Sequence, residues 1–236
     1  MTFHAYCRSR RLGLAFEQIR EGVGVSTTAY EHGYESLSGF NEAFRQLVGA
    51  APRAAGTGIV LQVTRVLTPL GPMIAGGTDE ALYFFEFSDR RRLERQLDRL
   101  RSRLDCVLVP GDNDLLKRTA AEIEAYFAGT LQQFSIPLQA PGTEFQKTVW
   151  DELRRIPFGE TRSYAEVARA IGRASAVRAV ANANGDNRMA IFIPCHRVVG
   201  SDGRLTGYGG GLWRKQHLLD LESRVSPDGL FGQGGA

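Results

Sequence analysis

Ala190-Ile191-Phe192-Ile193-Pro194-Cys195-His196-Arg197 places one thiol and one imidazole directly behind an apolar run. Such a run, closed by proline, reads as a strand with the cysteine at its end. A thiol in that position is a candidate nucleophile. A free cysteine has a pKa of about 8.5 and is mostly protonated at neutral pH, so it needs a base or a positive neighbour. His196 is the candidate base. Neighbours on a strand point to opposite sides, so the imidazole is expected to reach the sulfur through a water or a turn. A buried carboxylate would then orient the imidazole, and Glu222, in the helical run Leu218-Leu219-Asp220-Leu221-Glu222, is available.

Upstream of the cysteine, two short helices face each other across a glycine turn. Ser163 is expected to cap Tyr164–Ile171, Gly172 stops it, and Ser175 is expected to cap a helix from Ala176 to Asn184. This is a helix-turn-helix pattern with Arg178 near the start of its second helix. Before it, Thr143-Glu144-Phe145-Gln146 opens a helix whose apolar positions are Val149, Trp150 and Leu153 and which ends near Pro157-Phe158-Gly159. Pro137 to Thr143 reads as a linker, so residues 141–223 form a unit of their own. The Gly-rich end within 224–236 is expected to be a disordered tail.

Residues 56–140 read as a small α/β domain without chemistry of its own. Ile59–Leu67 and Ala81–Phe87 are strand-like, separated by glycine and proline turns, and Cys106–Val109 is a further strand. Arg90–Leu104 spaces Leu93, Leu97, Leu100 and Leu104 as an amphipathic helix, with its arginines expected on the solvated face. Asp114–Gly129 is a helix with Leu115, Ile123 and Phe127 on one side. Residues 1–55 read as helices: Leu12–Ile19, a second opened by Val25-Ser26 with Ser26 as cap and stopped by Gly33, and a third begun by Ser36 or Ser38 and closed by Gly49 and Pro52.

The 236 residues, 43% of them hydrophobic, can bury a sizeable core in one or two domains. A formal charge of +3 does not by itself announce a nucleic-acid binder, although the positive excess falls in residues 141–236 with the cysteine motif. No apolar run approaches the roughly 20 residues of a membrane span and no targeting segment is evident, so a soluble, cytoplasmic protein without a membrane partner is expected. Cys7, Cys106 and Cys195 are widely separated, with no Cys-x-x-Cys and no histidine pair at ligand spacing; no metal is expected, Cys7 and Cys106 read as packing residues, and a reducing compartment suits a free Cys195.

Two stretches resemble known families. Gly33-Tyr34-Glu35-Ser36-Leu37-Ser38-Gly39-Phe40 with Phe44-Arg45-Gln46-Leu47-Val48-Gly49-Ala50-Ala51-Pro52 resembles the second helix-turn-helix of arabinose-operon-activator-type regulators. Only half of that DNA-reading unit is present, which favours a helical cap over weak DNA binding. Ile193-Pro194-Cys195-His196-Arg197-Val198-Val199, preceded by Val177-Arg178-Ala179-Val180 and followed by Gly207-Tyr208-Gly209-Gly210-Gly211 and Leu218-Leu219-x-x-Glu222, resembles the O6-alkylguanine-DNA alkyltransferases over roughly residues 60–223. The order of parts is similar to the bacterial adaptive-response type without its zinc domain. The fold implied is α/β (α+β), with a ribonuclease-H-like small domain and a mainly helical, winged-helix-like alkyltransferase domain.

That resemblance implies a repair protein that flips an O6-alkylguanine, or an O4-alkylthymine, out of double-stranded DNA and transfers the alkyl group irreversibly to Cys195, as a monomer and without a cofactor. In that reading His196 takes the thiol proton through a water, Glu222 orients His196, and Asn187 ties the turn before the cysteine. Tyr164 crowds the target phosphate and supplies a proton or hydrogen bond to the leaving guanine. Arg178 enters the base stack, with Ala179 and Ser175 at the DNA face. The carbonyls of Cys195 and Val198 receive the exocyclic amine, and Tyr208, Gly209 and Gly210 line the pocket, their glycines leaving room for alkyl groups larger than methyl. The family's usual proline after the asparagine is Arg188 here, expected to add a charge near the DNA side. Two other classes compete: a binding protein that flips without repair, which lacks the cysteine, and a transcription regulator of an alkylation response carried by residues 1–55.

Overall fold

The computed structural model describes residues 3–48, 52 and 59–225. Three helices open the chain: α1 (Phe3–Arg20), α2 (Val25–Glu31) and α3 (Leu37–Val48). Gly22 and Gly33 make the turns between them at positive φ, where a side chain would be strained. Ser26 lies inside α2, which begins at Gly24 without a side-chain cap, so the expected cap is absent. Of the two serines before α3, Ser36 does the capping: its Oγ accepts from the Gly39 amide at 3.1 Å. Gly49 and the Gly-rich tail from residue 226 lie outside the described residues. Leu12, Phe16, Phe40 and Phe44 form a core that closes on Val60 and Val109 of the sheet, so these helices are packed onto the next unit.

The sheet has four strands, β1 (Ile59–Thr68), β2 (Gly71–Gly77), β3 (Leu82–Phe87) and β4 (Cys106–Pro110), in the order β3-β2-β1-β4. β2 is antiparallel to both neighbours, and β4 runs parallel to β1 after the crossover helix α4 (Leu93–Leu104). The glycine and proline turns expected between β1 and β3 are instead the strand β2, which carries Gly71-Pro72 and Gly76-Gly77. Its glycines serve packing: a Cβ on Gly76 would sit 2.0 Å from the Phe84 ring. α5 (Asp114–Phe127) follows, capped by the Asn113 side chain.

Pro137 to Thr143 is not a free linker. The Leu82 amide donates to Pro137 O and the Gln139 amide donates to Leu82 O, both at 2.8 Å, which adds this segment to the edge of β3. Then come α6 (Glu144–Arg154), β5 (Arg162–Ser163), α7 (Tyr164–Ala170), α8 (Val177–Gly185), β6 (Val198–Val199) and α9 (Leu212–Val225). Thr143 and Ser163 each form a full capping box with the residue three positions on. Ser175 caps nothing; the N-cap of α8 is Ala176, with no side-chain bond.

The run Ala190–Ile193 is buried as expected but is not a strand. After a single bridge between Phe85 and Met189 the chain coils on itself, Ile191 has φ +73°, and Cys195–Arg197 forms one 3-10 turn. A β-branched residue in the left-handed region is strained, and the surrounding core holds it there. That core is continuous: Met73, Phe85 and Tyr126 share one cluster with Trp150, Val167 and Phe192.

Candidate active site

Cys195 is buried, 7% exposed, at the first residue of the 3-10 turn. The Asn187 amide nitrogen donates to its Sγ at 3.1 Å and to Ile193 O at 2.9 Å, while Asn187 Oδ1 accepts from the Met189 amide at 2.9 Å. One side chain thus fixes both the turn and the sulfur. Burial pushes the thiol pKa up, and the Asn187 bond opposes the shift.

His196 is fully buried and its Nε2 lies 2.8 Å from Glu222 Oε1. With Nε2–H donated to a carboxylate, the neutral ring keeps its lone pair on Nδ1, which is buried and bonded to no protein group. Burial pushes the imidazole pKa down, with Glu222 pulling the other way. Glu222 also accepts from Arg197 Nε at 2.8 Å and Nη2 at 3.0 Å, from the Tyr126 hydroxyl at 2.7 Å and from the Gly159 amide at 3.2 Å. Burial disfavours its charge, but His196 and Arg197 together outweigh it and hold the carboxyl well below the usual carboxylate range. The helix-end carboxylate is therefore a buried anion whose partners come from three other parts of the chain.

The cavity at the sulfur has a free volume of about 10 Å³, room for roughly one water, and is walled by Glu86, Arg90, Asn184, Ala190, Tyr208 and Gly209. The hydroxyl of Tyr208 is sealed from solvent and has no protein partner. Val198 O accepts from Lys215 Nζ at 2.6 Å, and Cys195 O lies 3.5 Å from Asn184 Nδ2, so neither carbonyl is wholly free for an incoming amine. Lys215 itself is buried, and burial pushes it down to about 8.

Arg90 and Glu86 were not foreseen as part of this site. Arg90, read as part of a solvated helix face, pairs with buried Glu86 and donates to Asn187 O at 2.9 Å and Gly185 O at 2.7 Å. A Cβ on Gly209 would lie 2.5 Å from its guanidinium, so the space that the glycine leaves is taken by Arg90 rather than kept for a larger alkyl group. Arg214 joins the same wall: it pairs with Asp89, donates to Leu70 O and Gly210 O, and stacks 4.3 Å from the centre of the Phe87 ring. These contacts give residues 56–140 a share in the site. No local pattern signals the contacts that join the two units, because Asn187 and Gly185 lie about a hundred residues from Arg90, and Asp89 and Leu70 still further from Arg214; the nearest hint is Glu86, a carboxylate within the apolar run of β3.

Tyr164 is not in the sulfur cavity. It lines an outer groove with Gly207 and Gly209, and its hydroxyl accepts from Thr206 Oγ1 at 3.3 Å. At the cavity itself the phenol is Tyr208. Arg178, Ala179 and Ser175 are exposed at the start of α8. Arg188, expected to face DNA, is instead 6% exposed, with Nη1 donating to Pro141 O at 2.9 Å and Nε unpartnered. Burial pushes it down to about 10, helped by the Arg103 charge. Among the described residues there is no group of three metal-ligating side chains, and no helix is long and apolar enough to cross a membrane.

Residues 144–224 match the family model described as 6-O-methylguanine DNA methyltransferase, DNA binding domain, and residues 1–56 match a helix-turn-helix domain model. A methylated-DNA--protein-cysteine methyltransferase of Methanosarcina barkeri is 43% identical over 156 residues, covering 66% of this chain and 92% of that protein. One from Mycobacterium bovis is 44% identical over 163 residues, 69% of this chain and 93% of that protein. The crystal structure of Mycobacterium tuberculosis OGT in complex with DNA superposes with a TM-score of 0.60 at 40% identity, covering 72% of this chain and 97% of that one. Likeness of this extent reaches well beyond the cysteine motif, and it places the chain in the family of methylated-DNA--protein-cysteine methyltransferases.

Proposed function

We propose that the protein repairs DNA by direct reversal, moving the alkyl group of O6-alkylguanine in a duplex onto Cys195, as a single-use monomer. The observation that carries the chemistry is the histidine tautomer: Nε2–H is held by ionised Glu222, so Nδ1, on the residue that follows Cys195, is a buried acceptor with no partner among the described residues. A water there relays the Sγ proton to Nδ1. The thiolate attacks the alkyl carbon in line, the S–C bond forms, and the C–O6 bond breaks with its electron pair going to oxygen. The Tyr208 hydroxyl, without a protein partner in the cavity, hydrogen-bonds O6 as charge develops, and guanine regains its proton from solvent on returning to the helix. The product is a thioether, a poor leaving group, so no step regenerates the thiol. O4-alkylthymine presents the same aryl ether and is a second substrate by the same displacement.

Arg178, exposed at the start of α8, takes the place of the flipped base, and Tyr164 in the outer groove crowds the phosphate of that nucleotide. The cavity is small in the free protein, so the wall from Gly207 to Gly210 moves as the base enters. The test is stoichiometry. Duplex DNA with a labelled O6-methyl group should leave one equivalent of label on the protein and none on Cys195→Ala; repeated turnover, or label elsewhere, rejects the reading. A second reading, regulation through residues 1–55, rests on their match to a helix-turn-helix domain. Footprinting of promoter DNA with and without those residues decides it.

A further inference from the structure

Helix α4 and the C-terminal half of α8 enclose a groove of about 720 Å³ that opens onto the mouth of the Cys195 cavity, sharing Arg90, Gly185, Tyr208 and Gly209 with it. One wall carries Arg91, Arg92, Arg95 and Arg99. Among the described residues the only carboxylate lining the groove is Asp186, already bonded to Gln146 at 2.9 Å and lying 3.6 Å from Arg99. Arg91, Arg92 and Arg95 are exposed and, among the described residues, form no ion pair. Buried Arg188 is pushed down to about 10, by burial and then by the charges of Arg103, Arg99 and Arg90 against that of Asp186 alone. The cluster is short of negative charge.

A duplex seated on α8 that delivers a nucleotide to Cys195 carries the adjoining backbone across this groove, since only the base and its sugar can follow the cavity inward. We propose that the arginines of α4 and of the turn before it, Arg91, Arg92, Arg95 and Arg99, make a second phosphate-binding surface that grips the strand bearing the flipped nucleotide. It works alongside the helix-turn-helix and comes from the α/β domain. The proposal rests on the repair reading above, and the experiment separates the two.

Each phosphate neutralised by a cation releases counterions, and the logarithm of affinity falls with the logarithm of salt by about 0.9 per contact. The full-length protein and its triple variant R91A/R92A/R95A are titrated with a duplex containing O6-methylguanine between about 50 and 200 mM salt. The same proteins are assayed for label transfer from the free base O6-methylguanine, which has no phosphate. The expected result is a slope shallower by about 2 to 3 in the variant and duplex affinity at least about tenfold weaker at the low-salt end, with transfer from the free base within about twofold. The Arg-to-Lys triple variant keeps the slope. An unchanged slope in the alanine variant, or a lysine variant as weak as the alanine one, overturns the proposal. Wild-type protein that takes no label from either substrate rejects the repair reading, while the slopes still decide the groove.

Discussion

His196 and Cys195 are both held neutral by burial, one pushed down and the other up, so the resting site is a thiol beside a free base rather than an ion pair. That arrangement fixes the pH profile. Transfer should rise with pH as His196 loses its proton, a limb below the ordinary histidine value of 6.5, and level off above it. In His196→Ala, transfer at neutral pH should drop by about 10² to 10⁴. Its rate should climb only in the alkaline range, because the raised thiol must then ionise unaided. A variant that keeps the acid limb shows that another group is the base; stopped-flow label transfer across pH measures both profiles. Cys195 and His196 were legible as neighbours behind an apolar run and Glu222 as a carboxylate in the helical run after them, while Asn187 came from the family resemblance alone. Glu86, Arg90, Tyr126 and Arg197 were not. Their meaning comes from folding: Arg90 reads as one of seven arginines in the amphipathic run Arg90–Leu104 until the chain after β3 turns it toward Gly185 and Asn187.

Elements show where local rules held and where tertiary context overrode them. Of the serines expected at helix starts, only Ser163 has the geometry of a capping box; Ser36 bonds the Gly39 amide, Ser26 is inside α2 and Ser175 precedes a helix that begins without a side-chain cap. The difference is visible in sequence only as the glutamate three residues after Ser163, which completes the box. Ser163→Ala should therefore cost about 1 kcal/mol in urea denaturation, and Ser175→Ala under about 0.5 kcal/mol. Equal losses would show that Ser175 caps α8 in solution. β2 is not legible as a strand because its glycines mimic turns, whereas Gly76 makes room for the Phe84 ring across the sheet and Gly77 for the Ala81 backbone. The run at 190–193 failed the opposite way. Its apolar character correctly predicted burial, but a single bridge to Phe85 leaves no second strand to pair with, and the chain turns to bring Cys195 under Asn187.

At the scale of the molecule, Glu222 ties the parts together. From α9 it receives Tyr126 of α5, His196 and Arg197 of the cysteine turn and the Gly159 amide before β5, while Arg197 also donates to Ile156 O at 2.7 Å. A buried pair of this kind is weak evidence of net stability, but removing one member strands the other charge, which costs about 3 to 5 kcal/mol. The pH dependence follows from the sign of the shift. Glu222 has a folded pKa well below its ordinary 4.5, so the unfolded chain binds its proton first as the solution is acidified. The stability it confers is fully present above about pH 4.5 and is lost as pH falls through the folded value. Glu222→Gln should be less stable than the wild type at pH 7, by the few kcal/mol of a stranded Arg197, and should lose less on acidification because this group no longer titrates. Urea unfolding at several pH values between neutral and about 3 would show the two stabilities converging. Parallel curves would mean that Glu222 is not the anion that holds α5, the cysteine turn and α9 together. His196 would then lack the fixed tautomer on which transfer to Cys195 depends.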